Sequence, residues 1–252
     1  MPVLGTLIVI GAAAFMVAAL LVVGRLVPAA KRERHNDVVG FVYAVVGVIY
    51  AVILAMVVIA AWGSLEDAKT NTYTETNALL QLDWYGHSLP QPQHAEVQGL
   101  VKEYTEIVIH DEWPLLARHQ ASSKAWAVFT QLRDLISAQQ PTAPADVVRY
   151  QQALDAVAQL GDARRERLNE AGDGIPPLLW TALVLGGVVT GGFAFFFGMK
   201  STYSHALIVF CLSLLIGYLL LLVYQMNYPF SGVARIGSQA FELALQRMQT
   251  VS

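Results

Sequence analysis

The chain has 252 residues, 16 basic and 19 acidic side chains for a net charge of −3, and a 55% hydrophobic composition. The acidic balance argues against a nucleic-acid role, since phosphate binding requires a basic face, and a single cysteine, Cys211, rules out a disulfide framework. Charge is unevenly spread: residues 63–177 hold 9 Lys and Arg against 16 Asp and Glu, net −7, and the remainder is net +4.

Residues 4–28 begin with the uncharged apolar run Leu4–Gly24. About 20 helical residues cross the hydrocarbon core, and unpaired backbone groups are costly in lipid, so the run predicts a transmembrane helix. It is read as retained rather than as a cleaved signal, because no basic residue precedes it and its apolar stretch is long. The link that follows carries Arg25, Lys31, Arg32 and Arg34.

Residues 38–62 form the second span, again uncharged and ending on the interfacial aromatic Trp62. Tyr43-Ala44-Val45 recurs as Tyr50-Ala51-Val52, and Gly40 recurs as Gly47. Seven residues are nearly two helical turns, so these positions share a stripe. Gly40 with Ala44 and Gly47 with Ala51 are small-residue pairs that let helices approach closely. The stripe either packs within the chain or contacts a neighbouring subunit and lines a path, with Tyr43, Tyr50 and Leu54 shaping its narrow part.

Residues 63–177 are predicted to be a helical extramembrane domain. Leu65, Ala68, Thr72, Leu79, Leu82 and Tyr85 continue the second span as one long helix until Pro90 and Pro92 stop it. A second helix carries Val97, Val101, Tyr104 and Val108, and Trp113-Pro114 breaks it. Ser122 or Ser123 caps a third helix, and a fourth runs from about Ala145 to Ala171. Together they read as a four-helix bundle. Spans three and four are assigned to residues 178–199 and 205–227. Residues 228–252 give a turn at Tyr228–Gly232 and an amphipathic helix with Phe241, Ala244, Leu245 and Met248 on one face, lying on the membrane or the bundle.

The fold class is therefore all-α: four transmembrane helices in two hairpins, with a helical bundle between spans two and three. Basic residues of the first link, with Lys200 in the other short link, place both links in the cytoplasm and the bundle outside. No Asp, Glu, Lys or Arg interrupts the four apolar runs, which argues against a coupled transporter. A passive channel gated by an apolar constriction needs no such charge.

In the bundle, Glu75 and Glu112 lie on helices that pack near the one bearing Arg164, Arg165 and Arg167. They are candidates for interhelical ion pairs; alternatively the arginines draw anions to a pore mouth. Asp83 with His87, and His110-Asp111-Glu112, lack convergent metal-ligand spacing, so no metal or cofactor is expected. Nor does any catalytic constellation point to an enzyme.

The stretch Asn36-Asp37 through Gly40, Tyr43, Gly47, Tyr50 and Leu54 to Trp62 resembles the bestrophin-like domain found in bacteria and plants. Glu112-Trp113-Pro114, Arg164-Arg165 with Arg167-Leu168, and Pro229-Phe230-Ser231-Gly232 extend the resemblance over nearly the whole chain. It implies two helical hairpins around a helical domain, assembled as a homo-oligomeric ring, a pentamer by analogy, passing a small inorganic ion, an anion, across a bacterial cytoplasmic membrane. It also implies a cytosolic helical domain, on the opposite side from the charge count. A non-conducting scaffold or sensor, its acidic domain binding a partner, is the rival class.

Overall fold

A computed structural model describes residues 2–118, 120–172, 174–232 and 235–251. Helices account for almost all of it: α1 Pro2–Leu26, α2 Ala29–Glu33, α3 Asn36–His87, α4 Gln93–Ile107, α5 Trp113–Leu116, α6 Ser123–Ser137, α7 Pro144–Gly172, α8 Pro177–Phe193, α9 Thr202–Met226 and α10 Gln239–Val251. A π turn, Val108–Glu112, joins α4 to α5, and a 3-10 turn, Ala194–Phe196, ends α8. Four helices are long and apolar enough to cross a membrane, one of them the 52-residue α3. The chain divides into two compact units, residues 1–63 with 174–227, and residues 64–173 with 228–252.

In the first unit α1 lies along α9, with Val9 against Gly217 and Leu221 against Gly5; a side chain on Gly5 would force Leu221 to shift, and one on Gly217 would press tightly on Val9. Leu20, Ala194 and Val209 form one buried cluster; Tyr50, Leu54, Val57, Leu183 and Val223 form another that ties α3 to α8 and α9. The two short links are sewn together. Asn36 donates to the Gly198 carbonyl at 2.9 Å and accepts from the Gly198 N–H at 2.9 Å, while Arg32 donates to the Phe195 carbonyl at 2.7 Å. Gly198 is required there, because a Cβ would stand 2.2 Å from the Glu33 nitrogen. Another clasp is the Ile175 N–H, which donates to Asn227 Oδ1 at 2.5 Å.

In the second unit a single core gathers Leu79, Leu82, Val97, Val101, Tyr104, Leu132, Ile136, Val157 and Leu160 from α3, α4, α6 and α7. Phe241, Ala244 and Met248 of α10 belong to it as well, so the C-terminal helix lies on the bundle and makes it five-membered. Gly232, at φ 83°, makes the preceding turn, a conformation that glycine adopts without steric cost. Ser122 does occupy the position before α6, but its hydroxyl makes no capping bond; its N–H donates to Glu112 instead.

Candidate functional site

Glu75, Glu112, Arg164 and Arg167 meet in the interior of the second unit, all with 0% exposure. Arg164 and Arg167 stand three residues apart on α7, on the face that also buries Ala153, Val157 and Leu160. Glu112 closes the π turn, whose wider winding (one extra residue in the turn) accompanies its carboxylate's inward placement. Arg167 donates through Nε to Glu75 at 2.6 Å and through Nη2 to Glu75 at 3.0 Å and Glu112 at 2.8 Å. Arg164 grips Glu112 with two bonds, 2.9 and 2.5 Å. The Tyr104 hydroxyl donates to Glu75 at 2.6 Å and accepts from Arg164 at 3.2 Å.

Aromatic rings close the remaining sides. The Arg164 guanidinium lies 4.9 Å from the Trp126 ring centre, and that of Arg167 lies 5.3 Å from Trp113 and 5.6 Å from Phe241. Trp113 also donates to the Ile236 carbonyl at 3.2 Å, fastening the C-terminal segment. Burial opposes ionisation of Glu112, yet Arg167 and Arg164 outweigh it and hold its carboxyl below the usual range. Burial likewise works against both guanidiniums; Glu75 on Arg167, and Tyr104 with Glu112 on Arg164, raise them nonetheless.

Two carboxylates and two guanidiniums cancel, and none reaches solvent. The cluster therefore pins helices and has no net charge with which to draw an anion. Arg165 is not part of it. One position along the helix from Arg164, it points outward and pairs with Asp162 on its own helix.

The second-span candidates separate into two groups. Tyr50 and Leu54 are buried against the chain's own α8 and α9, and the Tyr50 ring fills the notch left by Gly186 and Gly187. Tyr43 meets Phe197 edge-on at 5.5 Å, and Gly40 faces the same ring. Gly47 and Ala51 lie on the flank, Gly47 with nothing within 4 Å of where a side chain would be and Ala51 exposed. Opposite Tyr50 is a face that the sequence reading did not single out. Phe41, Val48, Val52 and Ile59 recur there, with 74%, 64%, 55% and 71% of their surface exposed. Their spacings of seven, four and seven residues keep them on one side of a helix with about 3.6 residues per turn.

A family model of the Bestrophin-like domain matches residues 10–241. Among solved structures, a variant of a bacterial bestrophin homologue from Klebsiella pneumoniae is similar at 13% identity, covering 94% of this chain and 98% of that one with a TM-score of 0.69. Another structure of the Klebsiella pneumoniae homologue gives 12% identity, 94% and 98% coverage and a TM-score of 0.68. A structure described only as a membrane protein gives 12%, 94%, 96% and 0.67. At such identities the likeness speaks to fold. No curated protein matches.

Proposed function

Because the chain belongs to the bestrophin-like family, we propose that it is a homo-oligomeric ion channel of a bacterial cytoplasmic membrane, with α3 lining the axis of a closed ring. One observation carries this reading: α3 commits one face to its own chain at Tyr50, Leu54 and Val57, and its opposite apolar face is exposed among the described residues. In a cyclic assembly every copy presents the same face in an equivalent place, and in the proposed ring this one turns to the axis. Phe41, Val48, Val52 and Ile59 then form an apolar constriction, which gates by dewetting and needs no intramembrane charge. Tyr50 and Leu54 support that wall from behind instead of lining it.

The test is salt flux from proteoliposomes of purified protein, followed by cysteine substitution in a Cys211→Ser background. A thiol reagent should block flux through Val48→Cys and Val52→Cys and leave Val57→Cys untouched. Block at Val57→Cys alone would reverse the assignment of faces. No flux from inserted, ring-forming protein would refute conduction and favour the scaffold.

A further inference from the structure

We infer that Glu170 of α7 and Asn71 of α3 form a proton-operated latch: the contact is held while Glu170 carries a proton and weakened when the proton leaves. α3 reaches Asn71 from the second span as one unbroken helix, and α7 ends at Gly172, just past Glu170, with α8 beginning at Pro177. The Asn71 amide donates to Glu170 Oε1 at 2.5 Å. The second oxygen, Oε2, is shut off from solvent and has no hydrogen-bond partner among the described residues. A buried polar atom left unpaired is costly, and far more so when it carries charge. The closed contact therefore tolerates a neutral carboxyl at the expense of one unmade bond, but strands a carboxylate.

The charges around Glu170 act in the same direction. A spacing of four places Asp67 one turn before Asn71 on α3 and Glu166 one turn before Glu170 on α7, so two further carboxylates border the contact. Arg167 opposes them, but its Nε and Nη2 serve Glu75 and Glu112. Of the other nearby cations, Lys69 pairs with Glu66 and Arg165 with Asp162. Burial, then Glu166 and Asp67, raise the carboxyl to about 7 against the Asn71 bond and Arg167. An open groove of about 320 Å³, lined by Asn71, Thr74, Asp162 and Glu166 among others, brings water to the edge of the contact. Ala68 and Ala171 are buried beside it with Leu116 and Phe230. They keep α3 and α7 packed when the latch yields, so the change is local.

The experiment is hydrogen–deuterium exchange of the full-length protein in nanodiscs, corrected for the intrinsic pH dependence of amide exchange. Between pH 6 and pH 8, residues 67–74 and 164–172 should lose about tenfold in protection, as expected for a carboxyl moved from its ordinary range to about 7. The loss should level off above neutrality. Glu170→Gln keeps an acceptor for Asn71 and cannot ionise, so both segments should stay at their pH 6 protection throughout. Glu166→Gln removes a neighbouring charge and should end the loss at lower pH, a shift that a merely structural role for Glu170 would not produce. Residues 123–137 of α6 should be indifferent to pH over this range. The same pH dependence in wild type and Glu170→Gln, or an equal loss in α6, overturns the inference. None of these readouts requires ion flux, so the latch and the channel reading fail separately.

Discussion

Replacing Arg167 by Met tests the buried cluster most directly. Glu75 would lose the guanidinium that donates to it at 2.6 and 3.0 Å, which among the described residues leaves it the Tyr104 hydroxyl. Glu112 would lose one bond but keep both from Arg164 and the N–H of Ser122. The damage is thus one stranded carboxylate. Removing one partner of a buried pair costs about 3–5 kcal/mol. At about 2–4 °C per kcal/mol for a chain of this size, the melting temperature should fall by roughly 6–20 °C. Arg165→Ala breaks an exposed pair and should cost about 0–1 kcal/mol. Trp113 and Trp126 lie beside the two guanidiniums, so their fluorescence during heating in detergent reports the loss where it occurs. Adding Glu75→Gln to Arg167→Met removes the stranded charge and should recover part of the stability, giving a non-additive cycle. Equal melting of Arg167→Met and Arg165→Ala, or strictly additive losses in the cycle, would refute the reasoning.

Glu170 should show the opposite pH dependence from Glu112. Burial, with Glu166 and Asp67 nearby, raises its carboxyl to about 7 despite the Asn71 hydrogen bond. Its folded form holds a proton that the unfolded chain has released, so its contribution is full below the ordinary carboxylate range and lost as pH rises through about 7. Glu170→Gln should therefore melt higher than wild type above neutrality, and a pH-independent difference would count against this. For Glu112 the stability is present above the ordinary range and disappears as pH falls through its lowered value, visible as acid-induced loss of the tryptophan signal. Tyr50→Phe removes a buried hydroxyl that has no hydrogen-bond partner among the described residues and should be neutral or stabilising. Tyr50→Ala should cost about 3–5 kcal/mol, as for other buried aromatics, and Tyr50→Phe should leave ion selectivity unchanged. Gly198→Ala drives a methyl into the Glu33 backbone, which cannot yield as a side chain can, and should abolish recovery of folded protein where Gly192→Ala, in open space, does not.

The four spans were legible because lipid imposes length and exclusion of charge at once, and each run satisfies both. Which face of α3 turns inward was not. A helix that is apolar all round carries no amphipathic signal, and the choice is made sterically by Gly186 and Gly187, whose missing side chains admit Tyr50. In α7 the signal was present. Arg164 and Arg167 continue the helical spacing of Ala153, Val157 and Leu160, whereas Arg165 departs from it by one position. What periodicity could not foretell is that two charges would occupy an apolar stripe, since their partners come from Glu75, far along the chain, and from the π turn before Trp113. The seat of the C-terminal helix stayed open between membrane and bundle for a related reason: an amphipathic segment fits a membrane surface and a helical core equally well, and the Phe241 and Trp113 contact that decides between them is tertiary.

Under the proposed channel reading, gate and stability are separable in this chain. Val48, Val52 and Ile59 would control whether water fills the path, which is indifferent to the sign of the ion. The buried quartet of Glu75, Glu112, Arg164 and Arg167 is large in charge but neutral in sum, so its influence on an ion falls away quickly with distance. A polar residue at Val52 should therefore raise conductance with an unchanged reversal potential, and disrupting the quartet should lower stability before it alters either. If instead Glu75→Gln shifted the reversal potential in intact rings, the selecting field would originate in the bundle's interior and not at the open face of α3.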